Sequence, residues 1–204
     1  MLFRSPGKPA PRKRPRPGER RVQILQTLAA MLEQPGAERI TTAALAAKLD
    51  VSEAALYRHF ASKAQMFEGL IEFIESSVFT LVNQITEREA EGAVQAQKIA
   101  QVLLQFGEKN PGMTRVMVGD ALVFEHERLI TRMNQFFDRV ESQLRQCLRF
   151  AADAAGSATP TVDANALASA LTAFIVGRLQ RYARSGFRRL PTEQLDPALA
   201  RLTR

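Results

Sequence analysis

The 204-residue chain is predicted to be all-α, a small N-terminal head followed by a larger helical body. Three observations predict it. Apolar residues recur in steps of three and four along most of the chain, and no segment alternates as a strand does. The composition holds only two Tyr and no Trp, and is rich in helix formers. The segment 39–67, RITTAALAAKLDVSEAALYRHFASKAQMF, reads as two short helices, a tight turn and the start of a third helix.

Residues 1–18 carry five prolines, two glycines and six cations with no acid. Such a segment cannot bury a core and is expected to be disordered. It is either a DNA arm that adds phosphate contacts or a solubilising tail. The first helix spans 19–33, with Val22, Leu25, Leu28, Ala29 and Leu32 at helical spacing. Gln34-Pro35-Gly36 ends it.

Thr41 and Thr42 can cap the next helix, whose inner face is Leu45, Ala46 and Leu49. Asp50 is the turn, because Asp tolerates the left-handed conformation a tight helical turn needs. Val51 anchors it. Ser52 caps a second helix, predicted over 53–60, with Leu56 and Phe60 inward. Ala54, Ala55, Tyr57, Arg58 and His59 are left to face outward or flank the core side. Small, aromatic and basic residues on so short a helix suit a DNA groove better than water. The pattern is a helix-turn-helix with 53–60 as the recognition helix.

Within it, Arg58 is the candidate for reading guanine, since its fork matches two major-groove acceptors. Tyr57 and His59 suit phosphate beside the groove, and Ala54 and Ala55 suit thymine methyls or close approach. Glu53 opens the same helix. Thr42 and Lys63 sit at helix starts, where backbone N–H groups also favour phosphate. The competing reading is that Tyr57 packs inward and Arg58 is a solvated charge.

The body, 64–204, begins with a long helix whose stripe is Phe67, Leu70, Ile71, Ile74, Val78, Leu81, Val82 and Ile85. A polar break at 87–93 precedes a helix over 94–109, ended by Asn110-Pro111-Gly112. A short helix or loop covers 113–124. From 125, Leu129, Met133, Phe136, Val140, Leu144 and Cys147 recur in threes and fours. A loop over 153–161 leads to a helix at 163–185 carrying Leu167, Leu171, Phe174, Ile175, Leu179 and Tyr182. Pro191 and Pro197 bracket a weak last helix. The domain division is thus a tail (1–18), a DNA-binding head (19–63) and a body (64–204).

The net charge of +7 is uneven: +6 in 1–18, +1 in 19–63, −5 in 64–177 and +5 in 178–204. The body is therefore not uniformly basic. A single cysteine, Cys147, excludes an internal disulfide and reads as buried packing in a reduced, cytoplasmic chain. The most apolar run, 164–177, is broken by Asn165, Ser169 and Thr172 and ends at Arg178. It falls short of the about 20 apolar residues a membrane span requires. Two histidines, no phosphate loop and no metal spacing give catalysis, cofactors and metals no support. His126, between Glu125 and Glu127, reads as a solvated helix face.

TTAALAAKLDVS followed by LYRHFASK resembles the N-terminal DNA-binding domain of the TetR family, over roughly the first third of the chain. Asp50 stands where that family usually has Gly, at a cost of about 1–2 kcal/mol less what local hydrogen bonding returns. The resemblance implies a TetR-like fold and DNA contacts from Thr41, Thr42, Glu53, Ala54, Ala55, Tyr57, Arg58, His59 and Lys63. It also implies a homodimer on palindromic double-stranded DNA, since one head covers one half-site. The two late helices are the candidate interface, through Leu129, Met133, Phe136, Val140, Leu171, Phe174 and Leu179. The alternative is that these stripes are ordinary core.

SEAALYRHFASKAQMFEGLIEFIE, FGEKNPGMTRVM, RMNQFFDRVESQLRQ and RYARSGFRRLPT extend the likeness to the nucleoid-occlusion branch of the family. That implies a nucleoid-associated dimer, singly or as two dimers per site, which when bound to DNA antagonises FtsZ polymerisation. It places FtsZ docking at Phe73, Val102, Lys109 and Asn110. The competing reading is a repressor released by a small ligand held within 64–150.

Overall fold

The computed structural model describes residues 18–34 and 39–203. Apart from Gly18, the predicted basic tail lies outside them. Nine α-helices and one short 3-10 turn, with no strand, make up the described residues.

The head consists of α1 (Glu19–Leu32), α2 (Thr42–Lys48) and α3 (Glu53–Tyr57). The body consists of α4 (Lys63–Arg88), α5 (Gly92–Lys109), α6 (Pro111–Met117), α7 (Glu127–Ala154), α8 (Pro160–Arg184) and α9 (Leu195–Leu202). The 3-10 turn, Asp120–Leu122, lies between α6 and α7.

The α1 stripe is rotated from the predicted one. Ile24, Leu28 and Leu32 are buried, whereas Val22 is exposed. The α5 helix starts two residues earlier than predicted, because Gly92 lies tight against α7. A Cβ there would sit 2.1 Å from the Cys147 carbonyl oxygen, which only glycine avoids. Pro197 does not bracket the last helix. It lies in the first turn of α9, where its missing N–H is no loss.

The body is a layered bundle in which α7 packs along α8, with α5 against both and α4 against α5 and α7. Its core runs through Ile74, Val78, Ile99, Leu103, Leu144 and Ile175, each with no accessible surface. An atom facing a void that admits water would show accessible area, so these side chains pack against protein.

This packing corrects the predicted interface. Leu129, Met133, Phe136, Val140, Leu171 and Leu179 are all within 3% of full burial in the single chain. Their stripes join α7 and α8 to each other and to α5, and so cannot face a partner. Phe174 alone of that set is half-buried, with the Arg178 guanidinium 4.6 Å from its ring centroid.

By length and composition α8 would suffice to cross a membrane, which corrects the sequence reading. In the fold its inner face, through Ala164, Ala168, Leu171, Ile175 and Leu179, is the buried seam of the bundle.

Candidate nucleic-acid interface

The head is built by two caps and one strained turn. Thr41 Oγ accepts the Ala44 N–H at 3.1 Å and Ser52 Oγ accepts the Ala55 N–H at 3.3 Å. Each satisfies a backbone donor that the helix start leaves open. Asp50 has φ of 55°, the left-handed conformation predicted for the turn. Leu45, Ala46, Leu56 and Phe60 are buried beneath, while Leu49 and Val51 are half-buried.

The recognition helix is shorter than predicted. It spans Glu53–Tyr57, and Arg58 is its C-cap. Ala54 and Arg58 are exposed, Ala55 and His59 half-buried, and Tyr57 is 46% exposed. A large apolar ring left this open is unusual in a core and fits a contact surface. Thr42 and Glu53 meet each other: Thr42 Oγ donates to Glu53 Oε2 at 2.5 Å, clasping the starts of α2 and α3.

Lys63 differs from a free phosphate contact. Its ammonium pairs with the Glu125 carboxylate, whose side chain is 9% exposed. Glu68–Arg128 at 2.8 Å and Glu75–Arg132 at 2.6 Å continue the same ladder from α4 to α7. The Glu75 hydrogen bond, outweighing burial, raises the Arg132 pKa. The helix that follows the head is thereby tied to the rest of the body by charge.

Sequence reasoning missed Arg21. Its guanidinium donates to the His59 carbonyl and lies 4.1 Å from the Phe60 ring centroid, locking α1 onto the end of α3. No motif signals this; only a basic residue in the first turn of α1 does. His126 caps α7, its Nδ1 accepting the Arg128 N–H at 3.3 Å.

A second surface lies on the body. Phe73 is 49% exposed, with its ring centroid 6.4 Å from that of Phe106. Val102 is half-buried on the outer side of α5, one and two turns from Phe106 and Lys109. Lys109 is exposed in the last turn of α5, and Asn110 Nδ2 donates to the Phe106 carbonyl at 2.8 Å. The Phe73–Phe106 contact sets α4 beside α5 at this surface.

Two family models match the chain: "Bacterial regulatory proteins, tetR family" over residues 24–70, and "Tetracyclin repressor-like, C-terminal domain", of the SlmA-like type, over 90–204. Nucleoid occlusion factor SlmA of Photobacterium profundum is 53% identical over 178 residues, 87% of this chain and 90% of the relative. That of Vibrio cholerae is 51% identical over 185 residues, 90% and 94% of the two chains. Among solved structures, the TetR-family regulator PfmR from Thermus thermophilus superposes with a TM-score of 0.72 at 19% identity. The match covers 89% of this chain and 94% of that one. That likeness carries the fold.

Proposed function

The chain belongs to the family of nucleoid occlusion factor SlmA, within the TetR-type DNA-binding proteins, and from that membership we propose that it is a DNA-activated antagonist of FtsZ assembly over the chromosome. One observation carries the proposal: identity near one half extends over 87–90% of the chain, and the SlmA-like C-terminal model matches the body over 90–204. A generic regulator shares the fold of the body at far lower identity. The protein acts at the nucleoid in the cytoplasm and has no catalytic role.

In this reading the exposed face of α3, with Tyr57 and Arg58, enters the major groove of each half-site of a palindrome. Lys63 exchanges Glu125 for a backbone phosphate. Thr41, Thr42 and Glu53 position the helices, and Ala54, Ala55 and His59 flank the groove.

The protein works as a homodimer, and the outer face of α8 supports it. Val162, Ala166, Ala170 and Ala173 are exposed, with Gly177 half-buried, at spacings of four, four, three and four. This is a second apolar stripe, opposite the buried one. Its small side chains let a second helix approach closely, as in a four-helix bundle. Ile130, exposed, and Phe137, half-buried, lie seven apart on α7 and extend it.

FtsZ docks in the α4–α5 groove through Phe73, Val102, Lys109 and Asn110. A disordered acidic segment with apolar anchors suits an exposed ring beside a cation. Release by a small ligand is disfavoured by the packing of the body, where Ile99, Leu103, Leu104 and Leu144 have no accessible surface. Sedimentation of FtsZ polymers tests the proposal. Polymer mass should fall when this protein is added with its specific DNA, and fall much less without it. Polymers unaffected in both arms would refute it.

A further inference from the structure

Residues 178–204 hold seven arginines, no lysine and two carboxylates. Five of the arginines, Arg178, Arg181, Arg184, Arg188 and Arg189, gather where α8 ends. A surface hollow of 370 Å3 is lined by Arg181, Arg184, Ser185, Arg188 and Arg189 alone. A second hollow, of 210 Å3, adjoins it and shares Arg181 and Arg189.

The cluster is built rather than incidental. Gly186 and Phe187 take positive φ values of 61° and 62°, which turn the chain back on itself. The Phe187 N–H bonds the Tyr182 carbonyl at 3.0 Å, and the two rings stack edge-on at 5.2 Å. Ser185 Oγ accepts the N–H groups of Arg188 at 3.1 Å and Arg189 at 2.9 Å. Two arginines beyond the helix are thereby held against two within its last turn. The helix dipole favours Arg181 and Arg184, but does not reach the pair beyond the end. Among the described residues, Arg181, Arg184, Arg188 and Arg189 have no carboxylate partner. Glu193, in the smaller hollow, interacts with Arg178, whose guanidinium is already donating to the Pro191 and Glu193 carbonyls.

We propose that this arginine cluster is a second, sequence-independent docking surface for the phosphate backbone of a nucleic-acid duplex. The planar fork of Arg matches phosphate oxygens two at a time. A duplex presents about one negative charge per 1.7 Å of axis, enough to meet all four arginines that lack a carboxylate, although Arg188 Nε also donates to the Ser185 carbonyl at 3.0 Å. An acidic peptide would need apolar anchors, and the larger hollow has no apolar side chain in its lining. A two-fold interface centred here would set arginine against arginine. The recognition helix packs chiefly on α2, whereas α8 packs on α7, α5 and α6, so the cluster does not lie on the recognition helix. A dimer holding its site by the heads would grip a second duplex, or a distal stretch of the same one, by these ends. This does not depend on FtsZ.

The test compares the full chain with the triple variant Arg184→Gln, Arg188→Gln, Arg189→Gln. Binding to a short random-sequence duplex is measured between about 50 and 200 mM salt. The slope of log affinity against log salt should fall by about two to three units, near 0.9 for each phosphate no longer neutralised. The Arg→Lys triple should restore most of it, with melting midpoint and dimer mass unchanged in both. Sodium polyglutamate and phosphatidylglycerol vesicles are run alongside. An unchanged duplex slope overturns the proposal. So does a loss confined to polyglutamate or to vesicles, and so does a triple variant that sediments as a monomer.

Discussion

Gly112 rests directly on Ala29: a Cβ at Gly112 would lie 2.1 Å from the Ala29 carbonyl oxygen. This contact joins the first turn of α6 to α1, and so seats the DNA-reading head on the body. With the Lys63–Glu125 pair it fixes where the head points. A dimer spanning half-sites about 34–36 Å apart, or a multiple, depends on that angle.

Gly112→Ala should therefore push α1 away from α6. Overpacking of this kind costs about 1–3 kcal/mol. The melting midpoint should fall, and affinity for the specific site should fall further than affinity for random DNA. Thermal unfolding with paired binding titrations checks it. A variant that melts and binds like the parent would show that α1 yields freely.

Arg58→Ala should lose about 1–3 kcal/mol of discrimination at one base pair per half-site. Glu125→Gln should act in the opposite sense and without sequence preference. It releases Lys63 from its partner, so affinity for any duplex should rise while the salt slope stays close to the parent's, since Lys63 meets the same phosphate in both. Lys63→Ala should weaken binding and flatten the slope by roughly one unit. If the Glu125 and Lys63 variants shift affinity in the same direction, the exchange of partners is wrong.

The burial pattern separates core from interface by two substitutions. Phe136→Asp would bury an unpaired charge in the single chain, at a cost of about 4–5 kcal/mol or more, and should unfold it. Ala170→Glu lies on the outer α8 stripe, so helix content should survive while the dimer dissociates. DNA affinity should then drop by about 10²-fold or more, as two linked heads become one. A dimeric Ala170→Glu variant in sedimentation equilibrium would place the two-fold elsewhere.

Lys109 is exposed in the last turn of α5, where a cation meets the negative end of the helix dipole. Lys109→Asp should cost about 1 kcal/mol of stability and leave DNA binding intact. Its effect on FtsZ polymers in the presence of specific DNA should disappear. Polymers lost as fully as with the parent would exclude the α4–α5 groove.

Cys147 is buried on α7 where Gly92 meets it, and burial raises its thiol pKa. It should resist an aromatic disulfide reagent at a pH of about 8, where an exposed thiol of ordinary pKa reacts freely. Labelling should then proceed only at the rate of unfolding. Rapid stoichiometric labelling of the native protein would mean that α5 lifts from α7 on that timescale.

The all-helical fold, the caps at Thr41 and Ser52 and the left-handed turn at Asp50 were legible in the sequence. Each rests on a few neighbouring residues, where spacing and side-chain chemistry act locally. The outward set of α3 followed from the same local geometry. The side on which a stripe is buried did not. The late helices carry two apolar stripes each in some measure, and periodicity alone cannot say which one the chain itself covers. Only packing within the bundle, such as the Phe136 ring edge-on to Phe79 of α4, assigned Leu129, Phe136 and Leu171 to the core and left Val162, Ala166 and Ala170 outside. Lys63 with Glu125, 62 residues apart, and Arg21 with His59, 38 apart, are likewise tertiary decisions. Their pairing depends on where helices cross in space, which the spacing of residues along one helix does not encode.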